Sequence, residues 1–184
     1  MSRIAPLNDK SASPVQAVEL ARIETQMGGV PNVLATLAHS PAALNSYLNA
    51  THALAQGSLD AKARERIALV TAAANQDDYG ASAHSQIARQ AGLSRAEIDQ
   101  ALHGKAESVK DQALLDFARA VAEQRGQIDA KPLKAARKAG WSDAALVEVI
   151  ALVGINTLTG YLNHVAKPDF DFPLVLAPAL DQAA

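Results

Sequence analysis

Helix punctuation constrains this chain more than any other feature. Ser13-Pro14 reads as an N-cap followed by a first-turn proline, and Gln16 stands three residues after the serine, as a capping box requires. Ser40-Pro41 repeats the start signal, and Ser94 with Glu97 forms a second full box. Ser58, Ser108, Asp129 and Ser142 also precede segments of helical apolar spacing, while Gly57, Gly92, Gly104, Gly126 and Gly140 follow them. The expected helices run from Pro14 to Met27, Pro31 to Ala38, Pro41 to near Gly57 and Leu59 to about Ala74. Further helices are expected from about Tyr79 to Gly92, Arg95 to Gly104, Val109 to Arg125, Ala130 to Gly140 and Asp143 to about Ala166. Pro168 to Pro173 cannot continue a helix and reads as an extended tail that Phe170 and Phe172, pointing the same way, could pin to a surface.

The apolar period is three and four in every segment, as in Leu59, Ala63, Ile67, Val70 and Ala74, and no strand pattern competes. Alanine supplies 40 of 184 residues and aromatics only 4 %, which suits closely packed helices. The fold class is all-α, a helical bundle in one domain spanning 1–184, with an N-terminal arm over 1–13 and a tail over 167–184. An internal echo supports a duplicated helical hairpin. Six of eleven residues agree between Ala88–Ile98 and Ala136–Leu146, each a helix end, a glycine stop, a serine cap and a new helix. The other reading is that Gly-x-Ser is merely an economical helix–helix turn.

A net charge of −2 offers no footprint for nucleic acid or an anionic membrane surface. The first residues carry no apolar run after Arg3, so no secretory signal is read. The longest uncharged stretch, Val149 to Asn163, falls short of the ~20 apolar residues of a spanning helix. A cytoplasmic protein is the expectation. The absence of cysteine removes disulfides, thiolate nucleophiles and iron–sulfur ligation.

The densest chemistry lies in Asp77, Asp78, Tyr79, Gly80 and His84. On a helix, positions 77, 80, 81 and 84 share one face that continues through apolar Ile87, Ala88 and Ala91, which places His84 on the inward side. A buried neutral histidine is one reading. The other pairs it with Glu65 on the preceding helix as a proton-transfer couple, whose carboxylate would raise the histidine pKa. Glu65 could instead be solvated and pair locally with Lys62 or Arg66. One of Asp77 and Asp78 is expected to cap the helix. Asp77 and His84 lie about 10 Å apart along a helix, too far to share a metal ion without a third element, so no metal and no cofactor are expected. His39, His52 and His103 sit near helix C-termini and read as structural. Asn156, Gly160 and Asn163 form a polar or small stripe on an otherwise apolar helix that His164 closes, and such a stripe must face a pocket, water or a subunit.

Glu65, then Asp77-Asp-Tyr-Gly80, then Ala83-His84 and Ala88 to Ser94, resembles the core of the carboxymuconolactone decarboxylase / alkylhydroperoxidase D-like family. Gly29 to Pro41, Asn156 to Ala166 and Asp171-Phe-Pro173 look like the terminal signatures of its peroxidase-related members, so the resemblance spans roughly 15 to 175 with a family core of about 41–125. It implies helical homo-oligomers, commonly trimers or hexamers with dimers also open, and sites near subunit contacts. It also implies that Asp77 and Gly80 stand where the peroxidatic branch has a Cys-x-x-Cys pair, with Tyr79 between them. Thiol peroxidase chemistry is thereby excluded. Two functions stay open. Glu65 and His84 could act as general acid and base in decarboxylation, isomerisation or lactone chemistry on a small organic acid, with Asp77, Tyr79 and Gly80 lining the pocket and Asn156, Asn163 and His164 behind them. Alternatively the chain is a redox-dead homologue that serves as a binding or scaffold module.

Overall fold

The computed structural model describes residues 2–180. Among them are nine α-helices and no strand: α1 (Pro14–Met27), α2 (Asn32–Leu37), α3 (Pro41–Ala55), α4 (Ala61–Ala74), α5 (Asp78–Gln90), α6 (Arg95–Leu102), α7 (Val109–Glu123), α8 (Ala130–Lys138) and α9 (Asp143–Ala166). Both capping boxes form, at Ser13/Gln16 and Ser94/Glu97. Gly92 and Gly140 take left-handed φ values of 90° and 95° between paired helices, so α5–α6 and α8–α9 turn by the same device.

α4 is the central element. Ile67, Leu69 and Val70 are fully buried, and it packs against α5, α6, α7 and α9. The largest apolar cluster joins α4 to α6–α9 and includes Leu114, Phe117 and Val149. A second cluster, built from Ile23, Leu34, Leu37, Leu44 and Tyr79, joins α1–α3 to the start of α5. The seam between the two clusters runs along one side of α5, and there the candidate site lies.

Three helix starts differ from expectation: α2 begins at Asn32, one residue after Pro31, and α4 and α5 differ through their caps. Ser58 does not cap the fourth helix; Asp60 does, and the helix begins at Ala61. Ser58 is otherwise engaged. Glu148 of α9 accepts its N–H at 2.9 Å, its hydroxyl at 3.1 Å and the Leu59 N–H at 3.1 Å. Gly57 permits this approach, because a Cβ there would lie 2.6–2.8 Å from the Glu148 carboxyl group. Burial raises the Glu148 pKa, but these donors and the nearby Arg64 charge outweigh it and hold the carboxyl below its ordinary value. α5 likewise starts one residue earlier than expected, at Asp78, because Asp77 rather than Asp78 is the cap.

α9 is long and apolar enough to span a membrane by length and composition. Here it packs against α3, α4, α5 and α7. Beyond it, the chain turns back at Lys167 in a left-handed conformation (φ 47°) and runs without regular structure over α5. The Val175 N–H donates to Ser82 Oγ at 2.9 Å and the Ala177 N–H to Asp78 Oδ1 at 2.8 Å. In the arm, the Arg3 N–H reaches the Ala166 carbonyl at 2.6 Å and Leu7 is buried beside α2.

Candidate active site

The break between α4 and α5 sets the geometry. Gln76 adopts φ 53°, a costly conformation for a side chain with a Cβ, and this folds the Asp77 N–H back onto the Ala72 carbonyl at 2.9 Å. The two helices then run antiparallel. Glu65 and His84, nearly equidistant from the break, meet across them with His84 Nδ1 and Glu65 Oε2 2.9 Å apart. Their side chains are 19 % and 14 % exposed. The alternative local partner, Arg66, turns to Glu97 at 2.7 Å instead.

Asp77 caps α5 by accepting the Gly80 N–H at 3.0 Å, and it is also buried, 3 % exposed. The Asn163 amide of α9 donates to both of its oxygens at 3.1 and 3.0 Å. No room remains at position 80 for more than hydrogen, since a Cβ there would overlap the Asp77 carboxylate. His84 thus feels two carboxylates. Burial pushes its pKa down, but the charge and hydrogen bond of Glu65, the charge of Asp77 and a hydrogen bond accepted by the Asn156 side chain push harder, and the net value is raised. The ring is therefore biased toward imidazolium.

Two hollows flank His84. A small one of about 60 Å³ is lined by Tyr79, Gly80, Thr159, Asn163 and Phe172. A larger one of about 300 Å³ is lined by Leu48, Arg64, Glu65, Leu152 and Asn156 among others. Both share Leu34, Tyr47, His84 and Ile87. The buried Asn163 Oδ1 has no hydrogen-bond partner among the described residues and borders the smaller hollow.

The expected site residues separate into those the structure brings together and those it does not. Glu65, His84, Asp77, Gly80, Asn156 and Asn163 converge. Tyr79 presents its ring to the smaller hollow, but its hydroxyl is committed elsewhere: it donates to Asp171 Oδ1 at 2.6 Å and accepts the Val33 N–H at 3.2 Å. Burial and the Asp171 bond carry its pKa far above the ordinary phenol value. Phe170 packs tilted and Phe172 edge-on against the same ring at 5.9 and 5.8 Å, so Tyr79 anchors the tail. His164 stands apart. It is exposed and bonds the Asn75 carbonyl at 2.8 Å, which ties the end of α9 to the α4–α5 break. No three His, Asp or Glu residues among those described are grouped to hold a metal ion.

Tyr47 and Arg64 were not singled out from the sequence. Tyr47 lines both hollows, its hydroxyl has no hydrogen-bond partner among the described residues, and burial with the nearby Glu65 charge pushes its pKa up to about 12. The available signal was a polar tip one turn after the fully buried Leu44. Arg64 donates to the Leu59 carbonyl at 2.5 Å and forms no ion pair among the described residues, although it faces the larger hollow.

Residues 39–124 match the model of the carboxymuconolactone decarboxylase family. No curated protein matches the sequence significantly. Solved structures share the fold. One is an alkylhydroperoxidase AhpD core, an uncharacterized peroxidase-related protein from Ralstonia eutropha JMP134, at 25 % identity and TM-score 0.80 over 90 % of each chain. A second is an uncharacterized peroxidase-related protein from Silicibacter sp. TM1040, at 19 % identity and TM-score 0.76 over 94 % of this chain and 93 % of that one. A third is the debrominase Bmp8, at 18 % identity and TM-score 0.77 over 92 % of each chain.

Proposed function

From the match of residues 39–124 to the carboxymuconolactone decarboxylase family, we propose that the chain is a proton-transfer enzyme acting on a small organic acid by decarboxylation, isomerisation or lactone chemistry. The observation that carries this reading is the 2.9 Å Glu65–His84 pair set in the wall of a hollow of ring-molecule size.

The roles follow from charge. Arg64, which also acts on the nearby Glu148 charge, meets a substrate carboxylate at the larger hollow, whose remaining walls are mostly apolar. Glu65 fixes His84 by its Nδ1 edge, and a substrate that displaces the Asn156 hydrogen bond to the ring can exchange a proton with Nε2. In a decarboxylation, the carbon–carbon bond breaks, CO2 departs, and the electron pair left on carbon accepts the His84 proton. Tyr47, protonated at any physiological pH, donates a hydrogen bond to the enolate oxygen that forms. Asp77 and Asn163 do not touch the reacting atoms in this scheme. They join α5 to α9 and add negative charge behind the imidazole. Peroxide reduction by a thiol has no place in a chain without cysteine.

The test is a panel of small lactone acids, unsaturated acids and halogenated pyrroles. Turnover is followed by CO2 release and by deuterium uptake from D2O. The expected result is turnover of at least one compound that Glu65→Gln and His84→Asn each reduce by about 10²–10⁴-fold. Binding without turnover, at an affinity neither substitution changes, would overturn the enzyme reading in favour of a binding module.

A further inference from the structure

The proposed chemistry fills the larger hollow and leaves the smaller one idle. The two meet at His84, where Leu34, Tyr47 and Ile87 belong to both walls. Beyond that junction the smaller hollow is walled by Val33, Tyr79, Ala83 and Phe172, and its polar side chains are already engaged. The Tyr79 hydroxyl is held by Asp171 and the Val33 N–H. The Thr159 hydroxyl donates to the Asn156 carbonyl at 3.0 Å. The Asn163 amide donates to Asp77, and its oxygen is buried in the wall. Phe172 closes the hollow, and its place is fixed from both sides of the chain. Asp171, just before it, accepts the Tyr79 hydroxyl and the Asn32 N–H, each at 2.6 Å, and the Phe172 ring packs edge-on against Tyr79. A third hollow, of about 290 Å³, is bounded by Gly28, Gly29, Gln86, Gln90 and the same Phe172. Met27, Pro31, Ile87 and Phe172 line both it and the smaller hollow, so Phe172 stands as the partition between them.

We infer that the smaller hollow is a subsite for a short apolar branch, that the substrate is a small cyclic acid carrying a methyl or ethyl group, and that Phe172 sets the length limit. The inference rests on the reading above, in which the larger hollow holds the acid by its carboxylate at Arg64 and presents it to His84. Size decides the branch. A hollow of about 60 Å³ is twice the ~30 Å³ that a water-sized group occupies in a liquid, so two carbons fill it and a third meets Phe172. Chemistry decides its polarity. A hydroxyl or amine placed there would lose its water and find every side chain beyond the junction engaged or buried, whereas a methyl group loses nothing. The branch also orients the substrate. With the carboxylate at Arg64 and the branch past His84, the ring is held at two points, and the same carbon faces the imidazole at each turnover. Phe172 is thus a specificity-determining residue supplied by the tail, and the Asp171 latch beside it keeps the limit sharp.

The test is calorimetric titration of the full chain with two series of benzoates, alkylated at the 2- or the 3-position, from hydrogen through methyl, ethyl and propyl to butyl. In one series the affinity should rise about four-fold per carbon as far as ethyl and fall at propyl. Phe172→Ala joins the smaller hollow to the third one, so the best chain should become propyl or butyl. Phe172→Leu keeps an apolar contact for the tail and should move the limit by about one carbon. Ala83→Leu fills the hollow from α5 without touching the tail and should abolish the gain from methyl and ethyl. Arg64→Ala should weaken every member of both series, which tests the underlying reading by itself. If benzoate does not bind, or binds Arg64→Ala as well as the native protein, the account of the larger hollow fails and the inference goes with it. If benzoate binds through Arg64 but affinity ignores chain length, or the limit stays at ethyl in both Phe172 variants, that account survives and the branch subsite is overturned.

Discussion

Replacing Glu65 by Gln removes a charge from beside His84 while keeping an acceptor oxygen in place. The native contact is 2.9 Å long and both side chains are mostly shielded. A hydrogen bond with an ionised partner contributes about 1.5–3 kcal/mol, against about 1 kcal/mol for a neutral one. The variant should therefore lose about 1–2 kcal/mol when His84 is protonated, roughly a 5- to 30-fold change in the folding equilibrium. The pH dependence carries the sharper signature. The folded pKa of His84 is raised, so the stability it contributes is fully present below the unfolded value of ~6.5 and is lost as pH rises through the folded value. Urea unfolding of both proteins at about pH 6 and pH 9.5 should show the gap between them narrow at the higher pH. In parallel, the His84 Cε1–H resonance should titrate above ~6.5 in the native protein and markedly lower in Glu65→Gln. An equal destabilisation at both pH values, with an unchanged His84 titration, would refute the claim that the charge of Glu65 sets the protonation of the ring.

Other outcomes are expected. Gly80→Ala would force the Asp77 carboxylate out of its cap and away from Asn163, at a cost of about 1–3 kcal/mol seen as a lowered thermal midpoint. Asp77→Ala should cost a similar amount, and Asp77→Asn less, because an acceptor for the Gly80 N–H survives. Tyr79→Phe leaves the Val33 N–H and Asp171 without their partner, and hydrogen exchange over residues 168–180 should quicken, with a loss of about 1–3 kcal/mol. With thiol reductants supplied, peroxide consumption should not rise above the buffer rate.

What the sequence reveals here divides by range. Serine caps and glycine stops are local devices, and they place most helix ends within a residue or two. The exception at Ser58 arises because its partner, Glu148, lies ninety residues away, and no local rule can see a carboxylate arriving from α9. The Glu65–His84 couple is legible because the α4–α5 break is short and the two residues stand at similar distances from it. Which partner Glu65 takes is not, since Lys62 and Arg66 have suitable helical spacing and only the Arg66–Glu97 contact removes one of them. Tyr47 comes from the other apolar cluster and Arg64 looks like an ordinary surface cation, so their presence at the hollow follows from the docking of α3 and α4 on α9. The commitment of the Tyr79 hydroxyl to Asp171 depends in the same way on the path of the tail.

The mutual fit of Asp77 and Gly80 bears on ancestry. If the forebear carried cysteines at these positions, as the resemblance to the peroxidatic branch implies, the route back is obstructed at each single step. A cysteine at 80 collides with the carboxylate at 77, and a cysteine at 77 surrenders the contact with Asn163 while still lacking a resolving thiol. Each intermediate loses stability without gaining a thiol pair. On that history the pair would act as a ratchet: with the acid and the glycine fixed together, restoring the thiol pair would require both positions to change at once.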